Sequence, residues 1–401
     1  MKKLLLILLL CFTFSNGFSS DKKAINGRVL DERGFPVPGI IVSTTPGGSN
    51  KTDESGKFTI GSVDPTYTLY VTDESNSITI IYTGLTISDP DLILFGRKNG
   101  KDVNLANVDV IIEGIPDNSK GTIKFISQVT SYSKEEEITS GETKKQLTVR
   151  WPAGEKSING NIVYLEKNGQ KYTRYAERNV TLYNDIYQQS FKLSGIAAYE
   201  AVDSKLITIF LPIKEFATKY FSVWGDFMGY DRNSQIKLVS QNANIQSADT
   251  YVPSMLPFNF KLKVKAECFN AKGDGFINYT YTYPGSTVNL TYETPPEINS
   301  PSDKFNFVAN NTVFNWQEGS GAGVFVINFH CLYPESDTYV VTKEKEVKWL
   351  VNSASNLNYT WNVSKYIPYF TVNDFIKARV FNNEFTYQAI SYSKTYSFKT
   401  Y

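Results

Sequence analysis

Eight consecutive residues concentrate chemical potential in this 401-residue chain: Trp224-Gly225-Asp226-Phe227-Met228-Gly229-Tyr230-Asp231. Three aromatic rings and two carboxylates stand around two glycines. The flat face of an aromatic ring desolvates against the apolar C–H face of a pyranose, and nearby carboxylates accept hydrogen bonds from its hydroxyls. Trp224, Asp226, Phe227, Tyr230 and Asp231 are therefore the candidate ligand-binding set, with a glycan as the ligand. The same residues would also make a turn whose rings plug a neighbouring sheet. Trp151, ahead of Pro152, and Trp349 are alternative aromatic contacts. Trp316 and Trp361 fall within strand patterns and read as core.

Other chemistry is sparse. His330 is the sole histidine, which excludes a multi-histidine metal site and leaves little room for a histidine-based triad. His330 and Cys331 are neighbours on a predicted strand, so they point to opposite faces and one cannot activate the other. His330 reads as a buried structural histidine beside a disulfide or a buried thiol. Cys268 and Cys331 are the two cysteines left once a leader carrying Cys11 is removed. In an exported chain they can form a disulfide or stay as separate buried thiols. A glycan hydrolase would need two carboxylates ~5–10 Å apart. Asp226, Asp231 and Glu200 lie near aromatic residues, but no motif selects a pair. No phosphate loop, GxSxG elbow, HExxH or EF-hand run is present. Asp31 and Asp53 read as turn residues. The expectation is a chain without catalysis, cofactor or metal.

Lys and Arg total 41 against 40 Asp and Glu, a net charge of +1. Nucleic acid is not an expected partner, because polyanion binding needs a basic surplus. Met1-Lys2-Lys3 followed by an apolar run through Leu10 reads as a secretory leader of about 20 residues, 1–20. The run is too short for a span, which takes ~20 apolar residues. A lipoprotein signal needs a small residue before its cysteine; Leu10 precedes Cys11, so ordinary cleavage is expected. The leader style is bacterial, which points to the periplasm, the outer cell surface or secretion.

Short runs rich in Val, Ile, Tyr, Phe and Thr, separated by Gly, Asn, Asp and Pro, predict strands at 68–71, 78–82, 108–112, 146–151, 161–166, 206–211, 261–264 and 323–329. Two short stretches, 213–220 and 372–377, are helix candidates, the second with its N-cap within Val372-Asn373-Asp374. The fold class is all-β, as tandem β-sandwich domains. The expected boundaries are 21–105, 106–195, 196–292 and 293–401, arranged as beads, with 106–292 as one large domain the alternative.

The first segment alternates strand and turn. Asp31-Glu32-Arg33-Gly34 and Thr52-Asp53-Glu54-Ser55-Gly56 are tight turns, and Val29, Val42, Phe58 and Ile60 are expected in one core. Gly27-x-Val29-x-Asp31-x-x-Gly34-x-Pro36-x-Pro38-Gly39-x-x-Val42, then Thr52-Asp53-x-x-Gly56-x-Phe58, resembles the carboxypeptidase regulatory-like domain. That resemblance implies a transthyretin-like sandwich over residues 22–105, with spacing, attachment or ligand-binding roles and no catalysis. After Pro295-Pro296 and Pro301, the strand patterns around Trp316, 324–329, 339–342 and Tyr359/Trp361 resemble a fibronectin type III-like sandwich. Together these imply a non-catalytic exported envelope or secreted protein that presents sandwich surfaces in adhesion or assembly. Its partner would be a protein or polysaccharide at the cell surface, and carbohydrate binding at Trp224–Tyr230 is the alternative reading.

Overall fold

The computed structural model describes residues 22–45, 47–96, 103–127, 131–193, 200–212, 214, 216–226, 235–242, 246–254, 261–349, 355–380 and 388–401. The expected leader and Cys11 lie outside these residues. The chain is all-β, with several packed sheets and one short helix among the described residues. No helix among them is long and apolar enough to cross a membrane.

Period-two alternation builds the first unit. Strand Tyr67–Asp73 buries every second side chain, and Lys57–Val63 turns Phe58 and Ile60 inward. Val29, Val42, Phe58 and Ile60 share one core, as the alternation predicts. Strand Lys23–Asp31 pairs with Lys57–Val63 and Asp91–Leu94, whereas Ile41–Thr45 pairs with Ser49–Lys51 and Tyr67–Asp73. The first two strands therefore face each other across the core in different sheets. The Asp31 carboxylate accepts the N–H groups of Arg33 and Phe35, both at 2.9 Å. Asp53 accepts those of Ser55 and Lys57 at 2.9 and 2.8 Å. The Lys57 bond chiefly holds the Asp53 carboxyl below its ordinary range. Both aspartates are the turn-closing residues their spacing predicts.

Gly56 is required twice over. Its φ is +72°, and a Cβ there would lie 2.5 Å from the Val29 carbonyl oxygen and 3.2 Å from the Val37 nitrogen. Gly56→Ala should cost about 2–4 kcal/mol, from left-handed strain plus overpacking. A urea midpoint indistinguishable from the parent's would contradict this account.

A shared closure recurs along the chain. In each of four units a last strand runs parallel beside an early one: Asp91–Leu94 beside Lys23–Asp31, Gln188–Lys192 beside Val103–Ile111, Thr287–Asn289 beside Ser204–Phe210, and Tyr396–Thr400 beside Phe305–Val308. Four apolar cores follow.

The units are not beads. One 14-stranded sheet runs through three of them. It passes from the third unit (Gln235–Asn242, Thr218–Asp226, Lys261–Phe269, Gly275–Thr282) into the fourth (Ala389–Tyr392, Asn358–Ile367, Val324–Leu332, Glu335–Thr342), where Tyr396–Thr400 and then Phe305–Val308 branch off beside Asn358–Ile367. It then enters the first (Ile78–Leu85, Tyr67–Asp73, Ile41–Thr45, Ser49–Lys51). The seams are an antiparallel pairing of 275–278 with 389–392 and a parallel pairing of 78–82 with 337–341. Strand edges that would otherwise stand open satisfy each other's backbone groups.

The far edge of this sheet, Gln235–Asn242, is closed by side chains of the second unit. Lys124 donates to the Gln235 carbonyl, Glu135 accepts the Lys237 N–H at 3.0 Å, and the Tyr172 hydroxyl donates to the Leu238 carbonyl at 2.7 Å. Leu238 is the extra residue of a bulge opposite Val223 and Trp224, which leaves its peptide free for that bond.

Helix Val372–Lys377 forms where predicted, but Thr371 is the N-cap. Its hydroxyl oxygen accepts the Asp374 N–H at 3.1 Å and its proton goes to the Asp374 carboxylate at 2.7 Å. Val372, Phe375 and Ile376 complete the first unit's core. The helix candidate at 213–220 is not borne out: Thr218–Asp226 is a strand. Its inward Phe221 and Val223 recur with period two, and it is paired on both sides.

Beyond the helix, Arg379 meets Asp91, which also accepts Arg28 Nε and Nη2 at 3.1 and 3.0 Å. Burial alone would raise the Asp91 carboxyl. The Arg28 hydrogen bonds and the Arg379 charge outweigh it and hold the group below its ordinary value of 3.8. A depressed carboxyl stabilises above its unfolded value and loses that contribution as pH falls through the folded one. The joint between first and fourth units should therefore weaken below about pH 4. Asp91→Asn should flatten that part of the urea-midpoint-versus-pH curve; an unchanged acid limb would count against the clasp.

Candidate functional site

Strand Thr218–Asp226 carries Trp224. Phe221 and Val223 enter the third unit's core, which leaves Tyr220, Ser222 and Trp224 on the opposite face. Trp224 is half-buried. Its indole N–H donates to Ser222 Oγ at 2.9 Å, and Lys237 on the neighbouring strand places its ammonium 4.9 Å from the ring centroid. This cation–π contact occupies one ring face from within the molecule. Asp226 is buried and stands in register with Gln235 on one side and Lys261 on the other. Phe227, Tyr230 and Asp231 lie outside the described residues. Of the five residues singled out from the sequence, Trp224 and Asp226 are placed on one strand.

The next strand extends the same face. Lys263 stands opposite Trp224, Lys265 opposite Ser222 and Glu267 opposite Tyr220. Lys263 is only 2% exposed, with its ammonium 4.1 Å from the Tyr279 ring centroid. Lys265 pairs with Glu267 at 2.6 Å. The face is a ladder of ammonium groups on aromatic rings, its members engaged with one another.

The cysteines do not pair. Cys268 and Cys331 are free, buried thiols. Three strands separate theirs in the shared sheet. Four strand spacings amount to ~19 Å, far beyond the ~7 Å that a disulfide bridges between Cα atoms. Burial pushes the Cys268 thiol up to about 11, so it is an unreactive packing group. His330 is not buried beside a thiol. It is half-buried on the face opposite Cys331, with Nδ1 2.9 Å from Asp337 Oδ1.

A cleft of about 800 Å³ lies between first-unit turns and the 152–155 turn of the second unit. Phe35, Val37 and Pro152 contribute its apolar lining, Glu54 and Glu155 its exposed carboxylates. Asp31, also in its wall, is held by Arg33 at 2.6 Å. Among the described residues no group of three or more His, Cys, Asp or Glu side chains is placed to hold a metal ion.

The fourth unit carries a ring pair that sequence reading misses. Strand Phe305–Val308 runs beside Tyr396–Thr400, and its register slips between Asn306 and Val308. Phe307 is the extra residue. It has φ +85° and is 67% exposed, while Val308 enters the core. Tyr401 is 76% exposed, and its ring centroid lies 6.1 Å from that of Phe307, with the planes at 53°. The bulge turns Phe307 outward, on a strand where Phe305 is also exposed, at 37%.

No protein-family model matches the chain. No curated protein matches it. Among solved structures it is similar to the Bacillus anthracis TIE protein, at 11% identity over 67% of this chain and 49% of that one, with a TM-score of 0.17. It is also similar to BcpA, the major pilin subunit of Bacillus cereus, at 9% identity over 68% of this chain and 100% of that one, with a TM-score of 0.14. The chain thus spans about half the length of the TIE protein.

Proposed function

We propose that this is a non-catalytic exported protein of the cell envelope or the secreted fraction, structural in character, that presents sandwich surfaces in adhesion or assembly. The observation that carries this reading is the 14-stranded sheet shared by the first, third and fourth units, with its parallel seam between 78–82 and 337–341. Domains joined by a small interface move relative to one another by default. A seam of backbone hydrogen bonds, supported by Arg28, Asp91 and Arg379, holds the first and fourth units together. Rigidity suits a scaffold that holds a binding surface away from the cell.

The resemblances at 22–105 and 293–401 support the same reading. The first unit closes two sheets over one core with its turn aspartates in place. The last sets Glu297–Ser300, Val313–Gln317 and Glu346–Lys348 against Glu335–Thr342, Val324–Leu332, Asn358–Ile367 and Tyr396–Thr400. This two-layer arrangement supports the resemblance to a fibronectin type III-like module. Fractionating cells that carry an epitope-tagged chain, and comparing their surface attachment with cells lacking it, tests the proposal. A cytosolic chain whose loss leaves attachment unaltered would refute it.

Carbohydrate recognition is the second reading. The exposed Phe307 and Tyr401 rings favour it more than Trp224 does, because an ammonium already caps the Trp224 ring.

A further inference from the structure

We infer that the Phe307–Tyr401 ring pair is a binding site for the apolar sugar faces of a neutral polysaccharide. The inference rests on the reading of the chain as a non-catalytic, ligand-presenting protein and names the ligand class and its place. Three observations carry it.

The first is exposure. Both rings stand mostly in solvent, 67% for Phe307 and 76% for Tyr401, yet they lie against each other at 6.1 Å. Phe314, Trp316, Phe329, Trp361 and Phe398 sit in this unit's core, while Leu332, Tyr333 and Phe370 are exposed as well; what sets Phe307 and Tyr401 apart is that their two exposed rings stand against each other.

The second is conformation. Phe307 has φ +85° at a bulge, a region in which a bulky residue is an outlier and glycine is at ease. Fold preference alone favours glycine at this position. A ring held outward by an unfavourable backbone is the kind of local strain that accompanies a functional site.

The third is size and charge. Fully buried aromatic side chains cover ~150–250 Å² each, so two rings exposed to this degree offer on the order of 300 Å². A stable protein interface takes ~800 Å² per partner. The ring pair is too small for that and suits one or two pyranose rings. Asn306 and Lys399 stand opposite each other in register beside it. An amide and an ammonium offer hydrogen bonds to sugar hydroxyls.

The test is native affinity electrophoresis of the purified chain through gels containing laminarin, xylan or galactomannan. The parent should be retarded by at least one. Phe307→Gly should weaken retardation at least tenfold while the thermal midpoint holds or rises, because glycine relieves the backbone. If that midpoint falls, Tyr401→Ala decides, since it removes a ring without touching the bulge; it too should weaken retardation at least tenfold. Mobility of the parent unaltered by all three polysaccharides overturns the site. Retardation that survives both substitutions also overturns it but leaves the proposed function standing. Release of reducing ends from the retarding polysaccharide refutes the non-catalytic reading instead, and leaves the ring site in place.

Discussion

Lys365→Met is expected to destabilise the fourth unit by about 3 kcal/mol, within the range for leaving buried carbonyl acceptors without their donor. Lys365 is fully buried, on the central strand Asn358–Ile367. Its ammonium donates to the carbonyl oxygens of Glu318 at 3.1 Å, Ser320 at 3.0 Å and Gly321, and lies 3.5 Å from Glu318 Oε1. It gathers the carbonyls of a turn whose two glycines, Gly319 and Gly321, both have positive φ. Methionine keeps the packing volume and removes every donor, so the carbonyls lose their partner in a place water reaches poorly. Glu318 retains Lys345 at 2.7 Å, so Glu318→Gln should cost less, about 1 kcal/mol.

Burial lowers the Lys365 ammonium below its ordinary value and the Glu318 charge offsets part of that. The unfolded chain therefore holds this proton to higher pH than the folded one. Between the two values the unfolded state binds more protons, so this group's contribution to stability rises with pH. Equilibrium urea unfolding at pH 7 and pH 10 checks both points. A Lys365→Met midpoint equal to the parent's at pH 7 would show that the turn does not need the ammonium.

Phe314→Ala should cost about 3–5 kcal/mol, the usual range for deleting a fully buried ring. Phe314 packs edge-on against Phe329 and Trp361, each at 4.9 Å, against Phe398 at 5.2 Å, and tilted against Trp349 at 5.7 Å. Alanine removes one partner from four aromatic contacts and leaves a cavity that these stiff rings cannot close. Phe398 lies on the strand that flanks Phe305–Val308. Polysaccharide retardation should therefore fall together with stability in Phe314→Ala. In Phe307→Gly it should fall without a loss of stability. Calorimetry alongside the affinity gels separates these cases; a Phe314→Ala chain as stable as the parent would mean that the cluster repacks.

Period-two alternation is a local property, which is why the all-β class, the cores at Val29, Val42, Phe58 and Ile60, and the buried Trp316 and Trp361 were all legible from residue order. Turn chemistry is equally local: Asp31 and Asp53 act within a few residues of themselves. The stretch at 213–220 misleads because short apolar runs suit a helix or a strand, and only its two sheet neighbours decide between them. The aromatic loop at Trp224 was visible by composition. That Lys237 covers its ring was not, because Lys237 comes from another strand.

The sequence by itself determined the all-β class, the turn aspartates and the alternating core positions of the first unit, since each depends on neighbours one to four residues away. Tertiary structure decided the rest. It joined residue 80 to residue 339 in a parallel seam, kept Cys268 and Cys331 three strands apart, and turned Phe307 outward at a bulge. Those outcomes depend on which strand edges meet. Edge pairing is made by backbone groups that every residue except proline carries in full, so side-chain order does not encode it.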